Sequence, residues 1–180
     1  MMRYAASIQY NGADYHGWQR LTSGLPSVQQ EVESALTKVA NHPVSVVCAG
    51  RTDAGVHGSN QVIHFDSDAQ RSRRDWIYGV NANMSDSVAV NWVQSVNKEF
   101  HARFSAHWRR YRYIIFNDSI RSAHLTKGLT WCYTPLDEAK MQQAARYLVG
   151  VHNFNSYRAA QCQAKNAVRN VSFLSVNRYG

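Results

Sequence analysis

Six segments in the first hundred residues follow the order strand, helix, strand, strand, helix, strand. That order constrains the fold more than any other feature of the chain. The first segment runs from Arg3 to Tyr10, where Tyr4, Ala6, Ile8 and Tyr10 recur at every second position and share one face. A loop carrying Gly12, Gly17 and Gly24 continues to Pro26. Ser27 and Gln30 then stand at capping-box spacing. Val28, Val32, Ala35, Leu36 and Val39 recur at the helical period until Asn41-His42-Pro43 stops them. Val44 to Ala49 reads as a short buried strand, Gly50 to Ser59 as a turn-rich loop, and Gln61 to Asp66 as a third strand. A helix is expected around Asp75 to Ala82 and a fourth strand from Val88 to Val96. The βαββαβ order is the ferredoxin-like, split βαβ arrangement. RNA-recognition modules share it, but a topology alone licenses no function.

The remainder reads less regularly. Arg110 to Phe116 is predicted to be a strand and Val171 to Val176 another. Between them Asp137 to Leu148 is predicted to be a helix, with Met141, Ala144, Ala145 and Leu148 on its apolar face and Gly150 as its stop. One helix between two strands is a thin core. The expected fold class is therefore α+β, with a ferredoxin-like domain over residues 1–99 and an incomplete second α/β domain over residues 100–180. The chain stops at Gly180 as if in the middle of that second unit.

Composition narrows the partners. With 44% apolar and 18% charged residues the chain is globular. Its net charge of +8 favours a polyanion. No run approaches the roughly 18 unbroken apolar residues of a membrane span. The N-terminus lacks the basic start and apolar core of a secretory signal. Cys48, Cys132 and Cys162 are odd in number and far apart, which fits neither a disulfide framework nor a zinc site. Reduced thiols and a cytoplasmic setting are expected.

Three segments have chemical content. In Gly50-Arg51-Thr52-Asp53-Ala54-Gly55-Val56-His57 glycines flank a carboxylate, and Arg51 is near enough in sequence to share its site. An ionised, oriented Asp53 can act as a covalent nucleophile. It can equally be a turn residue that bonds its own backbone. Phe100 to Tyr113 contains four arginines, Arg103, Arg109, Arg110 and Arg112, among five aromatic residues and no acid. Arginines hold phosphates and aromatic faces stack on unpaired bases. The same pattern also suits a strand with Tyr111, Tyr113 and Ile115 on a core face and Arg110 and Arg112 on a solvated one. The loop Tyr10 to Arg20 offers Tyr15, Trp18 and Arg20 either to RNA or, for the large rings, to the core. His57, His64 and Asp66 match no metal-ligand spacing, so no metal is expected, and His64 reads as a strand histidine.

Taken together, these segments resemble one family. Gly50 to His57 followed by Gln61-Val62-Ile63-His64-Phe65 resembles the signature of the TruA-type tRNA pseudouridine synthases. Tyr15-His16-Gly17-Trp18-Gln19-Arg20 looks like that family's N-terminal loop. Phe100 to Ala106 and Arg110-Tyr111-Arg112-Tyr113 look like its later motifs. Gln161-Cys162-Gln163 and Arg169-Asn170-Val171 also fit. The likeness is collinear over nearly the whole chain. It implies the pseudouridine synthase fold and the conversion of uridine to pseudouridine at positions 38 to 40 of the tRNA anticodon stem-loop. By this resemblance Asp53 is the catalytic nucleophile. Tyr111 stacks on the flipped uracil and takes part in proton handling. Arg51 helps to extrude the base and holds Asp53. Arg20, Arg103, Arg110 and Arg112 are expected to grip RNA. The resemblance further implies no metal or organic cofactor, a cytoplasmic enzyme and a homodimer when full length. In that family a further strand and helix follow, with a basic partner for the aspartate. The chain is therefore expected to be a shortened form, and an incomplete fragment that binds tRNA without modifying it is the alternative.

Overall fold

The computed structural model describes residues 1–158 and 166–179. Two units divide the chain: residues 1–114 with 123–130, and residues 115–122 with 131–180. No helix among the described residues is long and apolar enough to cross a membrane.

The first unit has strands β1 (Met2–Tyr10), β2 (Val46–Cys48), β3 (Gly58–Ser67) and β4 (Val88–Val96), and helices α1 (Val28–Ala40) and α2 (Arg73–Asn81). The four strands form an antiparallel sheet in the order β2-β3-β1-β4, the ferredoxin-like arrangement that the sequence order demands. Strand β1 lies between β3 and β4, so both its edges are paired. Its alternating residues Tyr4, Ala6, Ile8 and Tyr10 enter one core with Val28, Val32 and Leu36 of α1 and Trp76 and Val80 of α2. Tyr4 stacks on Phe65 at 5.3 Å, and Trp76 meets Phe65 edge-on at 5.2 Å. Burying each such side chain contributes about 1.5–3 kcal/mol.

Caps set the helix limits. The Ser27 hydroxyl accepts from the Gln30 N–H at 3.4 Å, and Asn41 ends α1 in the left-handed conformation at φ 58°. Helix α2 begins two residues before its predicted start. Ser72 and Asp75 form a reciprocal capping box there, which draws the polar pair Arg73-Arg74 into the first turn.

The second unit carries β5 (Ile115–Asn117) and most of its partner β6 (Thr130–Cys132), then α3 (Glu138–Arg146) and the antiparallel pair β7 (Gly150–Asn153) and β8 (Val168–Val171). Asp137 caps α3 by accepting from the Lys140 N–H at 2.9 Å. Two predicted strands need correction. Of Arg110 to Phe116 only the last two residues lie in a strand, and β5 runs on to Asn117. Val171 to Val176 is not a strand beyond Val171. There the Val176 N–H donates to the Gln142 side chain of α3 at 2.7 Å, so a side chain takes the place of a ladder partner. The Gln161-Cys162-Gln163 motif lies outside the described residues.

Candidate active site

The loop that carries Asp53 joins β2 to β3, and the N-terminal loop fixes its shape. The Trp18 N–H donates to the Thr52 carbonyl at 3.0 Å, and the Gly55 N–H to the Tyr15 carbonyl at 3.3 Å. The Gly12 N–H donates to Nδ1 of His57 at 3.3 Å. Below them the Tyr10 hydroxyl meets the Thr52 hydroxyl at 2.9 Å. Two glycines make the approach possible. A β-carbon on Gly12 would fall 2.0 Å from the Val56 carbonyl oxygen, and one on Gly17 would fall 2.8 Å from that of Thr52.

Asp53 itself is exposed at the turn, where the Val56 N–H donates back to the Asp53 backbone carbonyl at 3.2 Å. Among the described residues nothing donates a hydrogen bond to its carboxylate. The turn is closed by backbone groups, so the reading of Asp53 as a self-bonding turn residue loses its main support. The side chain is left accessible on a backbone fastened at both flanks.

The root of the loop is fastened separately. The Ala49 N–H donates to the Val62 carbonyl at 2.8 Å, and Gln61 exchanges hydrogen bonds with both backbone groups of Gly50. Arg109 reaches across to the Ala49 carbonyl, donating from Nε at 3.2 Å and from Nη2 at 2.5 Å. Its Nη2 also donates to the Arg103 carbonyl at 3.3 Å.

Electrostatics gather further predicted residues here. Burial raises the Cys48 thiol above its ordinary pKa, while the charges of Arg51, Arg103 and Arg109 pull it the other way. Those three positive charges therefore all act on the start of the Asp53 loop. Burial likewise raises the Tyr10 phenol, opposed by its hydrogen bond to Thr52, with a smaller upward push from Tyr111. Tyr111 is thus within electrostatic reach of the residue beneath the loop. Its ring is 77% exposed, and so is that of Tyr113, so neither forms the core face that the alternation allowed.

Other predicted residues lie elsewhere or do other work. Arg20 forms an ion pair with Glu33 at 2.9 Å. The Glu33 side chain is only 7% exposed, and it also accepts from the Val46 N–H at 3.0 Å and from Gln29 at 2.9 Å. The Arg20 guanidinium is therefore engaged by the carboxylate that joins α1 to β2. Arg110 stands over the Trp108 ring at 5.4 Å, and Arg103 over Phe104 at 5.7 Å. Arg112 is exposed. Trp18 is buried with Tyr15, as the core alternative had it. Burial and Glu31 push the Tyr15 phenol up to about 12, so it acts as a neutral hydrogen-bond donor.

Sequence reasoning missed Tyr10, Thr52 and Arg109 as site residues. It also missed residues 123–130, where Lys127 pairs with Asp14 at 2.8 Å and Gly128 lies against the His57 ring. No spacing rule distinguishes Arg109 from its three neighbouring arginines. Among the described residues no group of three His, Cys, Asp or Glu side chains could hold a metal. A groove of about 520 Å³ is lined by Arg3, Ser67, Arg71 and Lys98 among others. It opens at the end of β1 and β3 opposite Asp53, so it plays no part in this site.

Residues 6–105 match the family model described as tRNA pseudouridine synthase. The matched span contains Tyr10, Arg51, Thr52, Asp53 and Arg103. The chain belongs to the tRNA pseudouridine synthase family. Relatives agree along its length. It is 52% identical over 179 residues to tRNA pseudouridine synthase A of Pseudoalteromonas atlantica, covering 99% of this chain and 68% of that protein. To the Vibrio vulnificus protein of the same name it is 53% identical, with 99% and 67% covered. To that of Pseudomonas aeruginosa it is 51% identical over 178 residues, with 99% and 62% covered. The chain thus spans about two thirds of the length of these synthases.

Proposed function

We propose that this chain carries the site at which a tRNA uridine is isomerised to pseudouridine, with Asp53 as the nucleophile. The observation that carries the reading is an exposed carboxylate that accepts no hydrogen bond among the described residues, on a loop fastened from both sides, with Arg109 bonded at its root. The reaction breaks the N1–C1′ glycosidic bond, turns the uracil, and joins C5 to C1′. The C5 proton leaves and N1 gains one, so the product is an isomer. A covalent bond from the Asp53 carboxylate to the nucleotide keeps the reacting fragments in the site between those steps.

The target base must leave the helix stack, which costs a few kcal/mol. The exposed Tyr111 ring offers a bed for it, and Arg51 is near enough to the loop root to fill the gap left behind. The finer assignments extend this reading. The tRNA uridines are those of the anticodon stem-loop, positions 38 to 40. Arg103, Arg110 and Arg112 contact phosphates. The full-length enzyme works as a cytoplasmic homodimer. Arg20 is assigned no RNA contact, because Glu33 holds its guanidinium.

The test replaces Asp53 with Asn, which keeps the shape and removes the nucleophile. Tritium release from tRNA labelled at uridine C5 should fall by at least 10³-fold, on the scale expected for loss of an essential catalytic group. Binding of tRNA should stay within about twofold of the unsubstituted chain. Turnover by D53N near the unsubstituted rate would refute the assignment.

A further inference from the structure

The contacts of Arg109 do not look like those of an arginine held out for phosphate. A guanidinium presents five N–H donors in a planar fork. In Arg109 both Nε and Nη2 are directed at the Ala49 carbonyl, and Nη2 also serves the Arg103 carbonyl. The stem lies against Gly50, where a β-carbon would come within 3.1 Å of Nε. Ala49 is the point at which the chain leaves its pairing with Val62 to enter the Asp53 loop. Asp53 follows four residues later, and Tyr111 follows two residues after Arg109.

The geometry points to Arg109 as a positioning residue that staples the two halves of the site together. One end of the staple fixes the root of the loop bearing Asp53. The other is the backbone of Arg109 itself, which sets where Tyr111 begins. The two halves lie 60 positions apart in the chain. This inference rests on the proposed roles of Asp53 and Tyr111.

The chemistry explains why arginine is required. A carbonyl oxygen has two lone pairs, and the planar fork places two N–H groups on it while a third contact reaches Arg103. Lysine, a point charge on a flexible stem, makes one such bond and does not fix the direction of the next segment. Because the carbonyls are neutral, the guanidinium charge also stays uncancelled beside the loop. It adds to the field of Arg51 and Arg103 that Cys48 registers.

The experiment uses the 180-residue chain with Arg109→Gln and Arg109→Lys. Backbone amide exchange is followed over residues 49–56, with β1 as an internal reference. In R109Q, exchange over residues 49–56 should accelerate about tenfold or more while β1 is unchanged. Tritium release at saturating tRNA should fall at least tenfold, with the tRNA Kd within twofold. R109K should recover part of both effects. Unchanged loop exchange in R109Q overturns the staple. So does a weaker Kd with a shallower salt dependence and an intact maximal rate, which would make Arg109 a phosphate contact. Equal acceleration in β1 and the loop also overturns it, because the role would then be general stability. The function reading fails separately, by absence of release from the unsubstituted chain. In that event loop exchange alone decides the staple, acceleration supporting it and no change refuting it.

Discussion

At Gly17 both the backbone and the space around it exclude a side chain. Its φ is +94°, and a β-carbon would lie 2.8 Å from the Thr52 carbonyl oxygen that receives the Trp18 N–H. Gly24 has a similar φ of +76° but nothing within 4 Å of the same position. The pair separates strain from displacement. Gly24→Ala should cost about 1–3 kcal/mol of stability for the left-handed backbone alone and leave turnover intact. Gly17→Ala meets the same strain and also pushes Thr52, next to Asp53, away from its place. A shift of about 1 Å at a reacting group can lower the rate about 10²-fold. Tritium release should therefore fall far more in G17A than in G24A, and the thermal midpoint of G17A should drop at least as far as that of G24A. Equal activity in the two variants would show that the approach of the N-terminal loop does not position the carboxylate.

Between elements, one contact ties β3 to the segment that leads into the arginine-rich run. Nδ1 of His64 accepts the Ala102 N–H at 3.1 Å, so the ring is neutral with its proton on Nε2. Burial, reinforced by the charges of Arg3 and His101, holds its pKa below the ordinary histidine value, against a weaker upward pull from Asp66. The sign follows from linkage. Below about pH 6.5 the unfolded chain takes up a proton that the folded chain resists, so stability rises with pH across that window and levels off above it. Asp66, held low chiefly by its hydrogen bond to Arg3, titrates in a separate window below about pH 4. His64→Asn retains an acceptor without the titration. It should therefore flatten the dependence of the urea midpoint between pH 5 and 7, and an unchanged slope would refute the assignment. This contact also marks how far the sequence was legible. Periodicity and caps revealed β1, α1, β3, β4 and α3, because alternation and capping are local properties. The strands expected at Arg110 to Phe116 and Val171 to Val176 failed because a strand also needs a ladder partner. Apolar alternation does not reveal that Val176 will bond the side chain of Gln142. Equally, nothing in the order of residues told Arg109, turned in to a carbonyl, from Arg110, laid over a tryptophan.

Across the whole molecule the +8 charge is the footprint of a polyanionic partner, and the pairing of individual arginines decides which of them express it. Lys and Arg outnumber Asp and Glu by 20 to 12, but composition counts Arg20 and Arg112 alike. The structure separates them. Arg20 already neutralises Glu33, whose side chain is nearly buried, so bringing it to a phosphate would strand a carboxylate beside α1. Arg103 lies over the Phe104 ring, a contact that leaves a guanidinium its charge and its in-plane N–H donors, and Arg110 lies over the Trp108 ring. Each phosphate neutralised by a side chain contributes roughly 0.7–0.9 to the slope of log affinity against log salt. Gln substitution of Arg103 or Arg112 should therefore weaken tRNA binding and reduce that slope by about 0.7–0.9 per residue. Arg20→Gln should leave the slope unchanged and instead lower thermal stability, because Glu33 loses its cation. Filter binding over a salt series, with melting curves of the same variants, measures both effects. A slope change in R20Q equal to that in R103Q would mean that Arg20 leaves Glu33 for the RNA, and the basic surface would then extend along the N-terminal loop as well.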